Sequence, residues 1–85
     1  MKTIEIYTQA FCPYCSRAVQ VLQGKKIAFT EIDAPHGSKA RADATSRSGG
    51  RTTMPQIFID GQSIGGCDEL LALDRAGKLD ALLAA

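Results

Sequence analysis

Ile4-Glu5-Ile6-Tyr7-Thr8 runs through Gln9-Ala10-Phe11 into Cys12-Pro13-Tyr14-Cys15 and on to Leu22. Ile4 and Ile6 alternate with Thr3, Glu5 and Tyr7, the period of two of a strand rich in β-formers. Gln9 to Phe11 make a short loop. Cys15, Ala18, Val19 and Leu22 then recur at i, i+3, i+4 and i+7, which is one face of a helix. Pro13 suits the first helical position, where its missing N–H costs nothing and its φ is preset. Gly24 is placed to end that helix.

Around this unit the remaining elements follow from local pattern. Ile27 to Asp33 reads as a second short strand, with Ile27 and Phe29 on one face and Ile32 out of phase. Pro35, His36 and Gly37 are loop signals. Ser38 can cap a helix running to about Arg47, whose apolar content is only Ala40, Ala42 and Ala44, supported by an Asp43–Arg47 pair at i, i+4. With so little to bury, this is the expected weakest element. Ser48-Gly49-Gly50 is a loop. Gln56 to Ile59 and Gln62 to Ile64 flank Asp60-Gly61, a strong two-residue hairpin signal. After Gly65-Gly66, Asp68 and Glu69 open a helix with acids in its first turn, Gly77 interrupts it, and Lys78 to Ala85 forms a last short helix. The order is β-α-β-α-β-β-α-α. A right-handed crossover would make the first two strands parallel, so an α/β fold is expected: a four-stranded mixed sheet with helices on both faces.

The chain has 85 residues, 45% hydrophobic and 22% charged, with a formal net charge of +1. A chain this short forms a single domain over residues 1–85, burying roughly 60–65% of the surface its unfolded form exposes. The composition excludes disorder and collagen-like structure, and no apolar run approaches the ~20 residues of a membrane span. The balanced charge gives no support for nucleic acid or a polybasic membrane contact. The N-terminus lacks the roughly 7–15-residue apolar stretch of a secretion signal, so a reducing cytoplasm is expected. There the 3 cysteines point to catalysis or metal rather than to a disulfide scaffold.

Cys12 and Cys15 carry the chemistry. An i, i+3 pair in a first helical turn spans about the 5–6 Å Cα separation a disulfide needs. Free N–H groups and the macrodipole at a helix N-terminus favour a thiolate, so the Cys12 pKa should lie below the free value of about 8.5. Cys15 points back onto the buried face. One exposed nucleophile and one sheltered resolving thiol make a dithiol catalyst. Half of a zinc site is the competing reading of C-x-x-C, but a second pair is missing, and the only other soft ligands are Cys67 and His36, the latter in a Pro-His-Gly loop. No metal is expected.

Cys12-Pro13-Tyr14-Cys15, Thr53-Met54-Pro55 and Gly65-Gly66-Cys67-Asp68, in this order and spacing, resemble the dithiol glutaredoxins, most closely the small bacterial members of the glutaredoxin-3 type. The resemblance spans Ile4 to Leu83. It implies a thioredoxin fold, a cytoplasmic monomer, and glutathione-dependent reduction of protein–glutathione mixed disulfides and protein disulfides, with no permanently bound cofactor and glutathione as co-substrate. Cys12 matches the nucleophile and Cys15 the resolving cysteine. Pro55 matches a cis-proline that turns the Met54 backbone toward the cysteinyl part of glutathione, with Thr53 beside it. Gly66, Cys67 and Asp68 match the loop for the γ-glutamyl end: helix-opening N–H groups for its carboxylate and the Asp68 side chain for its ammonium. Asp68 also reads as a plain helix N-cap. Tyr14 matches the aromatic that shields the disulfide. Cys67 reads as a partly buried bystander, and Tyr7 as a residue packed on the sheet. One departure stands out: the lysine often found three residues before the nucleophile is Gln9 here, with Arg51 or Gln56 as candidate substitutes. The alternative function within the family is an iron–sulfur cluster carrier, against which Pro13 and Tyr14 weigh.

Overall fold

A computed structural model of the protein describes residues 2–84. The elements are β1 (Ile4–Thr8), α1 (Pro13–Gly24), β2 (Thr30–Asp33), α2 (Lys39–Arg47), β3 (Gln56–Ile59), β4 (Gln62–Gly65), α3 (Cys67–Arg75) and α4 (Leu79–Leu83). They form one mixed sheet in the order β2-β1-β3-β4, with β1 parallel to β2, antiparallel to β3, and β3 antiparallel to β4. This is the α/β architecture and element order expected from the pattern, with helices on both faces. Ala85, which the sequence assigns to the last helix, lies outside the described residues.

The period of two in β1 divides the core. Ile4 and Ile6, with Ile57 and Ile59 of β3, face Ala18 and Leu22 of α1, Leu70 of α3 and Leu79 of α4. Tyr7 and Phe58 face the other way, against Ala34, Ala44 of α2, Met54 and Cys15. Leu22, Leu70 and Phe58 are fully buried. Truncating any of them to Ala would cost about 2–5 kcal/mol through lost transfer energy and an unfilled cavity. Tyr7 and Phe58 meet edge to face, with ring centroids 5.6 Å apart.

Capping and turn chemistry set the element ends. The Ser38 hydroxyl accepts from the Arg41 amide and starts α2. Asp60 and Gly61 both take left-handed φ, 50° and 79°, the requirement of a tight hairpin twisted with its strands. Gly24 ends α1 as expected, but the left-handed residue beyond it is Lys26, at φ 56°. Lys25 closes α1 by donating its amide to Val21 and Leu22, and its ammonium bridges Asp74 and Asp80 at 2.7 and 2.9 Å. β2 is shorter than the pattern predicts: only Thr30–Asp33 pairs with β1, while Ile27 and Phe29 pack against the core ahead of it.

The Asp43–Arg47 pair does not form. Asp43 pairs with Lys39 at 3.4 Å, and Arg47 turns to the sheet. There its Nη2 meets the Glu5 carboxylate at 2.9 Å, its Nη1 donates to the Tyr7 hydroxyl at 2.8 Å, and its guanidinium lies 4.2 Å from the Phe58 ring centre. A partly buried carboxylate and an aromatic face hold a guanidinium better than an exposed neighbour on the same helix. The bonds to Glu5 and Tyr7 raise the Arg47 pKa further.

Candidate active site

β1 ends at Thr8, and the chain needs only three residues and a cysteine before α1 begins. This brevity puts Cys12 at the N-cap of α1, extended at φ −117° and ψ 98°, with Pro13 as the first helical residue. From the N-cap, the Cys12 Sγ accepts a hydrogen bond from the Cys15 amide at 3.1 Å. The Cys12 carbonyl accepts from the Ser16 amide. No acidic residue sits in the first turn of α1. Cys12 is half-buried, whereas Cys15 is 3% exposed and belongs to the Tyr7–Phe58 side of the core. The two are joined as a disulfide, with Cα atoms 5.2 Å apart. One sulfur is reachable and the other sheltered, as the spacing implies.

Met54-Pro55 is a cis peptide, as the resemblance implies, and the Met54 carbonyl lies 4.0 Å from the Cys12 sulfur. Tyr14, Thr53, Met54 and Pro55 form one side of a cleft of about 330 Å³ beside Cys12. Gly66, Cys67 and Asp68 form the other side, with Arg51 and Glu69 at its margin. All seven residues outside the cysteine pair that the resemblance assigns to glutathione therefore meet in one cavity. One wall comes from the loop before β3 with Tyr14 of α1, the other from the start of α3, which the antiparallel return of β4 brings opposite.

Asp68 is not the N-cap of α3. Gly66 occupies that position, and its amide donates to the Glu69 carboxylate at 2.6 Å. This bond, with help from the Arg51 guanidinium 3.1 Å away, holds the Glu69 carboxyl below the usual carboxylate range. Asp68 is consequently free of capping duty and exposed. Gly66 also packs tightly: a Cβ there would come 3.0 Å from the Pro55 carbonyl oxygen. Cys67 is more buried than the sequence suggests, at 4% exposure, and burial pushes its thiol pKa up, with the neighbouring Asp68 charge adding to the effect.

Neither of the residues expected to replace the missing lysine is free to do so in the same way. Arg51 is paired with Glu69. Gln56 is fully buried and spends its amide nitrogen on the Thr53 carbonyl, at 2.8 Å, bracing the turn into Pro55 from inside. The residue beside Gln9 is Arg41 of α2. Its Nη1 donates to the Gln9 Oε1 at 2.7 Å and to the Ala34 carbonyl at 3.1 Å, and its Nη2 donates to the Thr52 carbonyl at 2.9 Å. Sequence reasoning missed Arg41, because no local pattern ties a helix-surface arginine to a loop 32 residues earlier. It missed the Glu69 cap as well, although Glu69 stands at the third helical position, from which a carboxylate reaches back to the N-cap amide; Gly66 has no side chain to return the bond. His36 is exposed in its loop, and no group of three or more potential metal ligands occurs among the described residues. No helix among the described residues is long and apolar enough to cross a membrane.

Comparisons with known proteins agree with this geometry. The family model described as Glutaredoxin matches residues 4–64. Glutaredoxin 3 of Escherichia coli K12 is 52% identical over 83 residues, covering 98% of this chain and 99% of that protein. The solution structure of a glutaredoxin from Brucella melitensis superposes with a TM-score of 0.81 at 51% identity, over 95% of this chain and 87% of that one. A buckwheat glutaredoxin–glutathione complex gives a TM-score of 0.84 at 28% identity, over 96% and 76%.

Proposed function

The chain belongs to the glutaredoxin family and is a thiol–disulfide oxidoreductase with a thioredoxin fold, and on that footing we propose that glutathione is its co-substrate and Cys12 its nucleophile. The Cys12 thiolate attacks the glutathione sulfur of a protein–glutathione mixed disulfide. The protein thiol leaves, and a second glutathione clears Cys12 as oxidised glutathione. With a protein disulfide, Cys12 forms a mixed disulfide with one substrate sulfur. Cys15 then attacks Cys12, releasing the second thiol and leaving the Cys12–Cys15 bond seen here.

The observation that carries this reading is the Cys15 amide aimed at the Cys12 sulfur, which lies 4.0 Å from the carbonyl of the cleft residue Met54. An N–H donor, a helix N-terminus and the lack of first-turn acids all favour the thiolate over the thiol. A cleft of about 330 Å³ falls in the range of small-molecule sites, roughly 300–1,000 Å³. Its chemistry suits a zwitterionic peptide. The Met54 backbone offers strand-like pairing to the cysteinyl residue. The opening amides of α3 suit the γ-glutamyl carboxylate, and the uncommitted Asp68 suits its ammonium. Arg41, held beside Gln9, puts a cation next to the position of the missing lysine and suits the glycyl carboxylate. That the buckwheat relative was solved with glutathione supports the same ligand here.

Two variants test the reading. Cys12→Ser should lose all turnover of a small glutathione mixed disulfide. Cys15→Ser should keep that turnover and lose reduction of protein disulfides. Loss of both activities in a folded Cys15→Ser protein would overturn the division of labour.

A further inference from the structure

We propose that Phe11 is a docking residue for polypeptide substrates: it receives an apolar side chain next to the cysteine of a protein disulfide, and glutathione-sized substrates do not use it. The proposal rests on Cys12 being the nucleophile. Phe11 is wholly exposed, at 101%, and contributes nothing to either side of the core. Its backbone is left-handed, φ 57°, a conformation in which a bulky side chain is an outlier and Asn or Gly would sit more easily. A single exposed apolar residue is ordinary. An exposed aromatic in an unfavourable backbone conformation, peptide-bonded to the reactive cysteine, is not explained by folding.

Position supplies the reason. Tyr14, the other exposed large hydrophobic residue among those described, lines the cleft, and Phe11 does not. A substrate whose body fits the cleft leaves the Phe11 ring in water. A polypeptide extends in both directions from its cysteine. Phe11, joined directly to Cys12, outside the cleft lining and fully exposed, is the apolar group available to the part of a polypeptide that the cleft does not take. An aromatic offers large contact area at low conformational cost, so an apolar neighbour of the substrate cysteine is the matching group.

The reaction is the dithiol route. The Cys12 thiolate breaks the substrate disulfide and forms a mixed disulfide, and the leaving thiolate takes a proton from water. The Cys15 thiolate then attacks Cys12. Two electrons have passed from the dithiol to the substrate, which leaves as two thiols.

The test uses the reduced protein itself as stoichiometric reductant, so no glutathione is needed. Its substrates are two disulfide-linked peptide dimers, with the cysteine flanked by Leu in one and by Ser in the other. Rates of Cys12–Cys15 disulfide formation are divided by the rates of the same peptides with dithiothreitol. Wild type should prefer the Leu peptide by about five- to tenfold, the worth of taking roughly 40–55 Å² of apolar surface out of water. Phe11→Asn, suited to the left-handed backbone, should bring the preference to about one by slowing the Leu peptide alone. Phe11→Leu should retain most of it. Equal wild-type rates, or a preference that survives in Phe11→Asn, would overturn the inference and leave Cys12 as nucleophile. Equal slowing of both peptides by Phe11→Asn would overturn it too, placing the effect of Phe11 on the Cys12 sulfur. Undiminished reduction by Cys12→Ser would overturn the reading of the nucleophile and the inference with it.

Discussion

The starts of α1 and α3 both carry a cysteine where a loop meets a helix, and the two thiols have opposite environments. Cys12 is the N-cap, extended and half-buried, with its sulfur accepting an amide and no acid in the turn that follows. Cys67 is one position further on, the first residue inside its helix, so its side chain is carried into the core while the Glu69 carboxylate takes the free amide of Gly66. Burial and the Asp68 charge then push the Cys67 thiol up. A helix macrodipole alone does not activate a thiol. The sulfur must occupy the position from which it can accept the free N–H groups, stay in reach of solvent, and have no carboxylate competing for the same donors.

Alkylation of the reduced protein at pH 6, followed by peptide mapping, strains this contrast most. Cys12 should react at least about ten times faster than Cys67, after the weaker nucleophilicity of an acidic thiol takes back part of the gain from its larger thiolate fraction. Comparable rates would mean that N-cap and first-turn positions do not differ in the way argued.

Glu69→Gln sharpens the contrast from the α3 side. Its carboxyl is held below the ordinary value of 4.5, chiefly by the Gly66 amide and then by Arg51. A depressed carboxylate contributes stability that is fully present above its unfolded pKa and lost as pH falls through the folded one. The Gln variant keeps a neutral cap and loses the charge. It should be less stable by about 0.3–1 kcal/mol at pH 7, with the gap to wild type closing on acidification below 4.5. Denaturant midpoints across that range measure it. The Cys67 thiol pKa should fall at the same time.

The smallest effect concerns the α1 side. Gln9→Lys would bring a second cation near Cys12, and a surface ion pair with a substrate carboxylate is typically worth about 0.2–1 kcal/mol. Arg41 already lies 2.7 Å from the Gln9 side chain, so repulsion offsets part of that gain. The Michaelis constant for a small glutathione mixed disulfide should fall less than about twofold at low salt and return to the wild-type value at high salt. A larger drop would remove Arg41 from the role proposed for it.

What could be read in the chain is what short-range physics controls. The alternation in Ile4–Thr8, the Ser38 cap and the left-handed Asp60-Gly61 turn each depend on residues within a few positions, and each appears as expected. The cysteine spacing is equally local, whereas the cis bond before Pro55 was legible only through the family resemblance. Arg47 illustrates the limit. Its i, i+4 neighbour Asp43 was the legible partner, but the fold brings Glu5, Tyr7 and Phe58 within reach, and a carboxylate, a hydroxyl and an aromatic face together outcompete a single carboxylate. Arg41 is the same case beside the active site. Gly24 shows the reverse, where a residue of great conformational freedom stands next to the turn and the less suited Lys26 adopts the left-handed φ.

Arg41 is also a mechanical part. One guanidinium holds the Gln9 side chain after β1, the Ala34 carbonyl after β2 and the Thr52 carbonyl ahead of Pro55, all from a helix that buries only Ala44. The loops on either side of Cys12 thus share a single tie rod anchored in a helix with one buried residue. The placement of both loops is therefore tied to that of α2 through one side chain.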